Sequence, residues 1–158
     1  MDWRDMSEYE IERQASRHPS GALMWAADKL SSTMLARCAE AEVMAALQYA
    51  AAYMPESLLD KCAATEPWCA LQYAADYLSP ETMARCVEGM PIAAMLYQGD
   101  KLSPDQLDEC ARLCPVTALM HVAKRLSRDR LLKCVSIYPE VLDPVEMELL
   151  LVGEGGGV

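Results

Sequence analysis

Seven cysteines and two histidines, His18 and His121, are the residues of this chain best able to do covalent or metal chemistry. Thiolates bind soft metals and exchange disulfides, and imidazole binds metals or carries protons. Cys110 and Cys114 lie four residues apart, a spacing that puts two helical side chains on one surface. With His121 they would make a thiol-based metal or redox site, and a small hydrolase or metal enzyme is the activity that follows. Other features oppose this. Cys110 is one of a strict ladder, Cys38, Cys62, Cys86, Cys110 and Cys134, and Cys114 precedes Pro115. His18 precedes Pro19, and neither histidine has a metal-binding companion at helical spacing. No H-E-x-x-H, G-x-S-x-G, phosphate-binding glycine loop or G-x-G-x-x-G occurs. The expectation is a protein without catalytic residues, metal or cofactor.

The ladder has a period of 24 residues, and the sequence around it repeats with it. Ala22, Ala46, Ala70, Ala94 and Ala118 are followed by Leu23, Leu47, Leu71, Met95 and Leu119. An aromatic column runs Trp25, Tyr49, Tyr73, Tyr97, His121, and an apolar one runs Leu30, Met54, Leu78, Leu102, Leu126. A fixed short period signifies supersecondary units that bury their apolar faces against one another. The expected fold is all-α, a short α-solenoid of five helix-turn-helix repeats, 17–40, 41–64, 65–88, 89–112 and 113–136. A half-repeat at 1–16 and a cap at 137–152 flank them, making one domain over 1–152, with a flexible Gly-rich tail at 153–158.

Each repeat predicts two short helices. The first opens at a proline in four copies (Pro19, Pro67, Pro91, Pro115) and runs to about Leu30 in copy one, burying Ala22, Leu23, Ala26, Ala27 and Leu30. Ser31, Ser79, Ser103 and Ser127 then cap the second, with capping-box spacing at Ser103 and Gln106. Pro55 replaces this serine in copy two, which predicts a shifted or weaker boundary there. The second helix spans about two turns, Ser32 to Ala39 in copy one, with Leu35, Cys38 and Ala39 inward. Arg37, Lys61, Arg85, Glu109 and Lys133 mark its wet side. Such short helices are marginal alone, so neighbours must stabilise them. Ser7 to Ser16 lies in register with a second helix, and a last helix is expected from about Pro144 to Val152.

The strings A-L-Q-Y-A-A at 46–51 and 70–75 carry a resemblance. Over roughly Ser20 to Ser136 the chain resembles the Ala-Leu-x-Tyr-Ala tandem two-helix repeats of unknown function found in arrays in viral and protist proteins. It departs from them in holding cysteine throughout the second helix. The resemblance implies the helical-repeat fold and transfers no activity and no site.

Composition fits a folded chain: 158 residues, 53% hydrophobic, net charge −10. No run approaches the roughly 18 apolar residues of a membrane span, and the first residues carry Asp2, Arg4 and Asp5 instead of a signal sequence. Stacked helices lie about 9–10 Å apart, beyond the roughly 7 Å between Cα atoms that a disulfide tolerates. The ladder cysteines are therefore expected to be free and buried, in a reducing, cytoplasmic compartment.

What remains is surface. The aromatic column sits at the edge of the apolar stripe, and Tyr53 and Tyr77 follow Tyr49 and Tyr73 at i, i+4. These rings either cover seams between repeats or, with Trp25 and Tyr97, form a binding face for another protein. Charge is polarised. The middle repeats are acidic, whereas the fifth carries Lys124, Arg125, Arg128, Arg130 and Lys133 against Asp129 alone. That cluster is a candidate patch for an anionic partner. An acidic chain is repelled by phosphate backbones, which argues against direct nucleic-acid binding. The leading expectation is a protein-interaction module using Trp25, the tyrosines, Asp76 and Asp100. The alternative is an acidic, virus-encoded inhibitor that mimics nucleic-acid charge through Asp28, Asp76 and Asp100 to block a host enzyme.

Overall fold

Prolines and serines set the helix boundaries, because each decides whether a backbone N–H or carbonyl can join a helical ladder. The computed structural model describes residues 2–152; the tail expected at 153–158 lies outside them. The chain is all-helical, with twelve α-helices and no strand among the described residues. They are α1 (Glu8–Ala15), α2 (Pro19–Trp25), α3 (Ser32–Ala41), α4 (Val43–Ala45), α5 (Glu56–Thr65), α6 (Pro67–Cys69), α7 (Pro80–Gly89), α8 (Pro91–Gln98), α9 (Pro104–Leu113), α10 (Pro115–His121), α11 (Arg128–Ile137) and α12 (Pro144–Val152). No helix among them is long and apolar enough to cross a membrane.

Capping follows the sequence closely. The hydroxyl oxygens of Ser7, Ser31, Ser79, Ser103 and Ser127 each accept the backbone N–H three residues on, at 3.2–3.4 Å. Ser7 with Glu10 and Ser103 with Gln106 complete capping boxes. The Ser7 bonds hold the exposed Glu10 carboxyl below its usual pKa. The boundary at Pro55 does not shift: α5 starts at Glu56, 24 residues after Ser32. Pro55 adopts φ −64°, ψ 151°, matching Ser31 at φ −61°, ψ 154°. Proline's fixed φ suits an N-cap, and only the side-chain bond is missing.

The same residue type closes the preceding helices. His18, Glu66, Met90, Cys114 and Tyr138 all precede proline, which bars them from the α region. All lie at φ −131° to −136° and ψ 64° to 68°. Glu42, followed by Val43, takes the same conformation at φ −137°, ψ 66°. The second helices therefore reach farther than two turns: α3 ends at Ala41, ten residues long.

The first helices differ more from expectation. In copy one the α-helix stops at Trp25, not near Leu30; Ala26 swings to φ −145°, ψ 19°, and Ala27–Lys29 forms a 3-10 turn. Ala50, Ala74 and Val122 break at the same register. In the two Ala-Leu-Gln-Tyr-Ala copies, Ala46–Ala50 and Ala70–Ala74 wind as π-helix before 3-10 turns at Ala51–Tyr53 and Ala75–Tyr77. Widening and then tightening the winding re-aims the side chains at positions where a uniform helix would drift off the core. Ala46, Leu47, Ala50, Ala70, Leu71 and Ala74 have no exposed surface, and neither have Ala22 and Leu23 in copy one, which lacks the π turn.

The described residues divide into two compact units, between Cys86 and Val87 within α7. In the first unit α1 packs on α3 and α3 on α5, while α2 packs on the Ala46–Ala50 turn and that turn on Ala70–Ala74. In the second, α8 packs on α10 and α9 on α11. The cysteine and alanine columns form the core of each: the ladder cysteines are 2–3% exposed and the five alanines wholly buried, whereas Leu30 and Leu78 of the apolar column are half-buried.

Three of the five ladder thiols make a bond that suits cysteine at their position, while Cys62 and Cys110 share the burial. The Cys38, Cys86 and Cys134 thiols donate to the carbonyls of Ala15, Ala63 and Ala111, at 3.8, 4.0 and 3.7 Å. Each of those carbonyls lies four residues before a proline, Pro19, Pro67 or Pro115, which has no N–H to give. The thiol of one second helix thus satisfies a carbonyl left open on the preceding one, a role closed to valine or alanine. At these three positions cysteine combines small size with a weak S–H donor.

Candidate functional site

Among the described residues no three histidine, cysteine, aspartate or glutamate side chains come together to hold a metal ion. Cys110 is buried in α9, Cys114 is half-buried at the bend after it, and His121 is exposed at the end of α10. Desolvation pushes the Cys110 thiol up to about 11, with the Cys114 and Glu109 charges adding to it. Burial also raises Cys38, Cys62, Cys69, Cys86 and Cys134. Thiols held protonated are poor nucleophiles and poor ligands. All seven are free. In the native protein at pH 8, a disulfide-exchange reagent is expected to modify Cys114 first, the other six reacting only on unfolding. The folded state favours protonated Cys110, so its contribution to stability is intact below the unfolded pKa near 9 and is lost as pH rises through about 11. Fast modification of several thiols in the folded state would contradict the burial.

The aromatic residues stand out by exposure. Trp25 is 59% exposed, Tyr49 39%, Tyr53 53%, Tyr73 42% and Tyr77 54%. All five belong to the first unit, whereas Tyr97 belongs to the second and is half-buried. The i, i+4 relation expected for Tyr49–Tyr53 and Tyr73–Tyr77 does not hold on one continuous helix. The first tyrosine of each pair lies in a π turn and the second ends a 3-10 turn, with the break between them at Ala50 or Ala74. Tyr77 also lines a groove of about 450 Å³ with Met54, Leu59, Glu56 and Glu81. A neighbouring apolar set escaped sequence reasoning: Met44 and Trp68, at one register, are 58% and 37% exposed. Ile92 and Val116 continue that register in the second unit at 41% and 36%. The 24-residue spacing of these four was the available signal.

Several acidic residues are engaged by groups of the chain itself. Asp60 accepts a hydrogen bond from the Thr82 hydroxyl, to which Arg85 also donates at 2.8 Å. Asp108 accepts from the Ser127 backbone N–H at 3.2 Å and from its hydroxyl at 2.6 Å, fastening α9 to the start of α11. Arg112 grips Glu109 at 2.6 and 2.9 Å, holding its carboxyl below the usual range. Lys61 binds Glu40 at 2.6 Å with the same effect. Asp28, Asp76 and Asp100 are exposed.

The basic cluster is split. Lys124, Arg125 and Arg128 line a cavity of about 930 Å³ in the second unit. Arg125 donates to the Leu102 carbonyl at 3.1 Å. Arg130 is half-buried and Lys133 exposed, and neither lines the cavity. Comparison with protein-family models, curated proteins and solved structures found no match.

Proposed function

We propose that the chain is a non-catalytic protein-interaction module. In this reading it is a short α-solenoid of 24-residue two-helix repeats with half-repeats at its ends, akin to the Ala-Leu-x-Tyr-Ala arrays, and it grips a partner protein by an aromatic face. The observation carrying it is the exposure of Trp25, Tyr49, Tyr53, Tyr73 and Tyr77 on one unit, 39–59% each. Rings that served only to seal seams would be largely covered. Large rigid aromatics with polar tips supply contact area at low entropic cost, and truncating such anchors commonly weakens binding by about 2 kcal/mol or more.

Nucleic-acid mimicry is the weaker reading, because Asp60, Asp108 and Glu109 are engaged by groups of the chain itself. It retains the exposed Asp28, Asp76 and Asp100 at one register.

Affinity capture from lysate, quantified by mass spectrometry at low and high salt, separates the two. Tyr73→Ala with Tyr77→Ala is expected to lose the partners retained by the parent chain at both salts, with the circular dichroism unchanged. Asp76→Lys with Asp100→Lys is expected to keep them. An unchanged partner set in the tyrosine variant sinks the aromatic face. Loss in the aspartate variant, with binding that vanishes in salt, supports mimicry instead.

A further inference from the structure

The cavity in the second unit combines features that the protein-binding reading does not use. Its volume, about 930 Å³, falls in the range of small-molecule sites, roughly 300–1,000 Å³. Leu119, Leu126, Leu131, Leu142 and Leu150 give it apolar walls, and Lys124, Arg125 and Arg128 stand among them. The helix over it, α12, reads Pro-Val-Glu-Met-Glu-Leu-Leu-Leu-Val yet has no buried residue; Val145, Leu149 and Val152 are 65–69% exposed. Apart from Glu146 and Glu148 the helix is apolar; such a helix ordinarily packs on a filled core, and here the space beneath it is not filled by protein.

The charge is equally uncompensated. Among the described residues Lys124 and Arg128 have no hydrogen-bond or ion-pair partner, and Arg125 is bound to a neutral carbonyl. The one carboxylate on the wall, Glu146, accepts the Asp143 backbone N–H of its own helix cap at 3.3 Å. Arg128 opens α11, where a cation opposes the helix macrodipole at a cost of about 0.3–1 kcal/mol. Other second helices start with Glu8, Ser32, Glu56 or proline at this register. In a chain of net charge −10, cations gathered at the rim of an apolar cavity suit an anion with an apolar body.

We propose that this cavity binds a long-chain carboxylate, the acyl chain lying under α12 against the leucines and the head group between Lys124 and Arg128. The arginine fork matches a carboxylate, and the Glu146 charge on the same wall favours a singly charged head over a doubly charged phosphate.

Isothermal titration of the full chain with palmitate, below micelle formation, tests this. Saturable binding of one palmitate per chain is expected, with hexadecanol much weaker and acetate undetectable. Lys124→Gln with Arg128→Gln, both on exposed side chains, is expected to weaken palmitate roughly tenfold or more at unchanged circular dichroism. Lys124→Gln alone gives an intermediate loss. Absence of saturable binding overturns the proposal, as does palmitate binding that the double variant leaves unchanged and hexadecanol equals. Attachment to anionic lipid vesicles without binding of free palmitate overturns it in favour of a membrane surface.

Discussion

Leu71→Ala is expected to lower the unfolding free energy by about 3–5 kcal/mol, the upper range for a buried leucine. Leu71 has no exposed surface, and its neighbours in the π turn, Ala70 and Ala74, are likewise wholly buried. Alanines cannot swing inward to fill the space a leucine leaves, so the cavity persists and its cost adds to the lost transfer energy. Domains are stable by only about 5–15 kcal/mol, so such a loss is a large fraction of the total. Urea unfolding followed by far-UV circular dichroism measures it. Leu132→Ala, at a residue 43% exposed, serves as the control and should stay within about 0.5 kcal/mol of the parent. Comparable shifts for the two would mean that the Ala-Leu column is not the core.

Gly99→Ala is expected to destabilise by about 1–3 kcal/mol, although both helix propensity and the repeat favour alanine. Ala27, Ala51, Ala75 and Ala123 occupy the same register. A consensus argument would therefore predict a gain of up to about 1 kcal/mol. The geometry of this copy reverses the sign. A Cβ on Gly99 would lie 2.6 Å from the Met95 carbonyl oxygen and 2.7 Å from Val122 Cγ1. The carbonyl is backbone and cannot move without shifting α8, and Val122 is itself buried at 5% exposure. In the other copies the preceding residue, Ala26, Ala50, Ala74 or Val122, leaves helical geometry and carries the following Cβ elsewhere. Copy four stays helical through Gln98, with Gly99 at φ −54°, ψ −32°. Val122→Ala added to Gly99→Ala relieves one contact of two and should restore only part of the loss. A urea midpoint at or above that of the parent would contradict the close approach.

These two sites show how differently the sequence speaks at core and junction. The burial of Leu71 follows from a column of apolar residues at fixed spacing, because any packing that satisfies one copy must satisfy its neighbours. The role of Gly99 is invisible in that column, because it depends on how far one helix continues before it breaks. The aromatic face lies between these cases. Its residues were legible, since Trp25 and the tyrosines sit at the rim of the apolar stripe, but whether they cover seams or face solvent was not. Their backbone was not, because Ala-Leu-Gln-Tyr-Ala contains no proline or glycine to announce a π turn. The Lys124, Arg125 and Arg128 cluster was likewise legible as charge, while the cavity it borders required knowing where α12 lies.

From the residues alone come the all-helical class, the capping serines, the bends before prolines and the buried columns, because each rests on local backbone chemistry or on apolar spacing. The winding of the first helices, the thiol-to-carbonyl bonds, the bonds from Thr82 to Asp60 and from Ser127 to Asp108, and the cavity beneath α12 come only from tertiary packing. They depend on distances between segments some twenty residues apart, and no local preference encodes those distances.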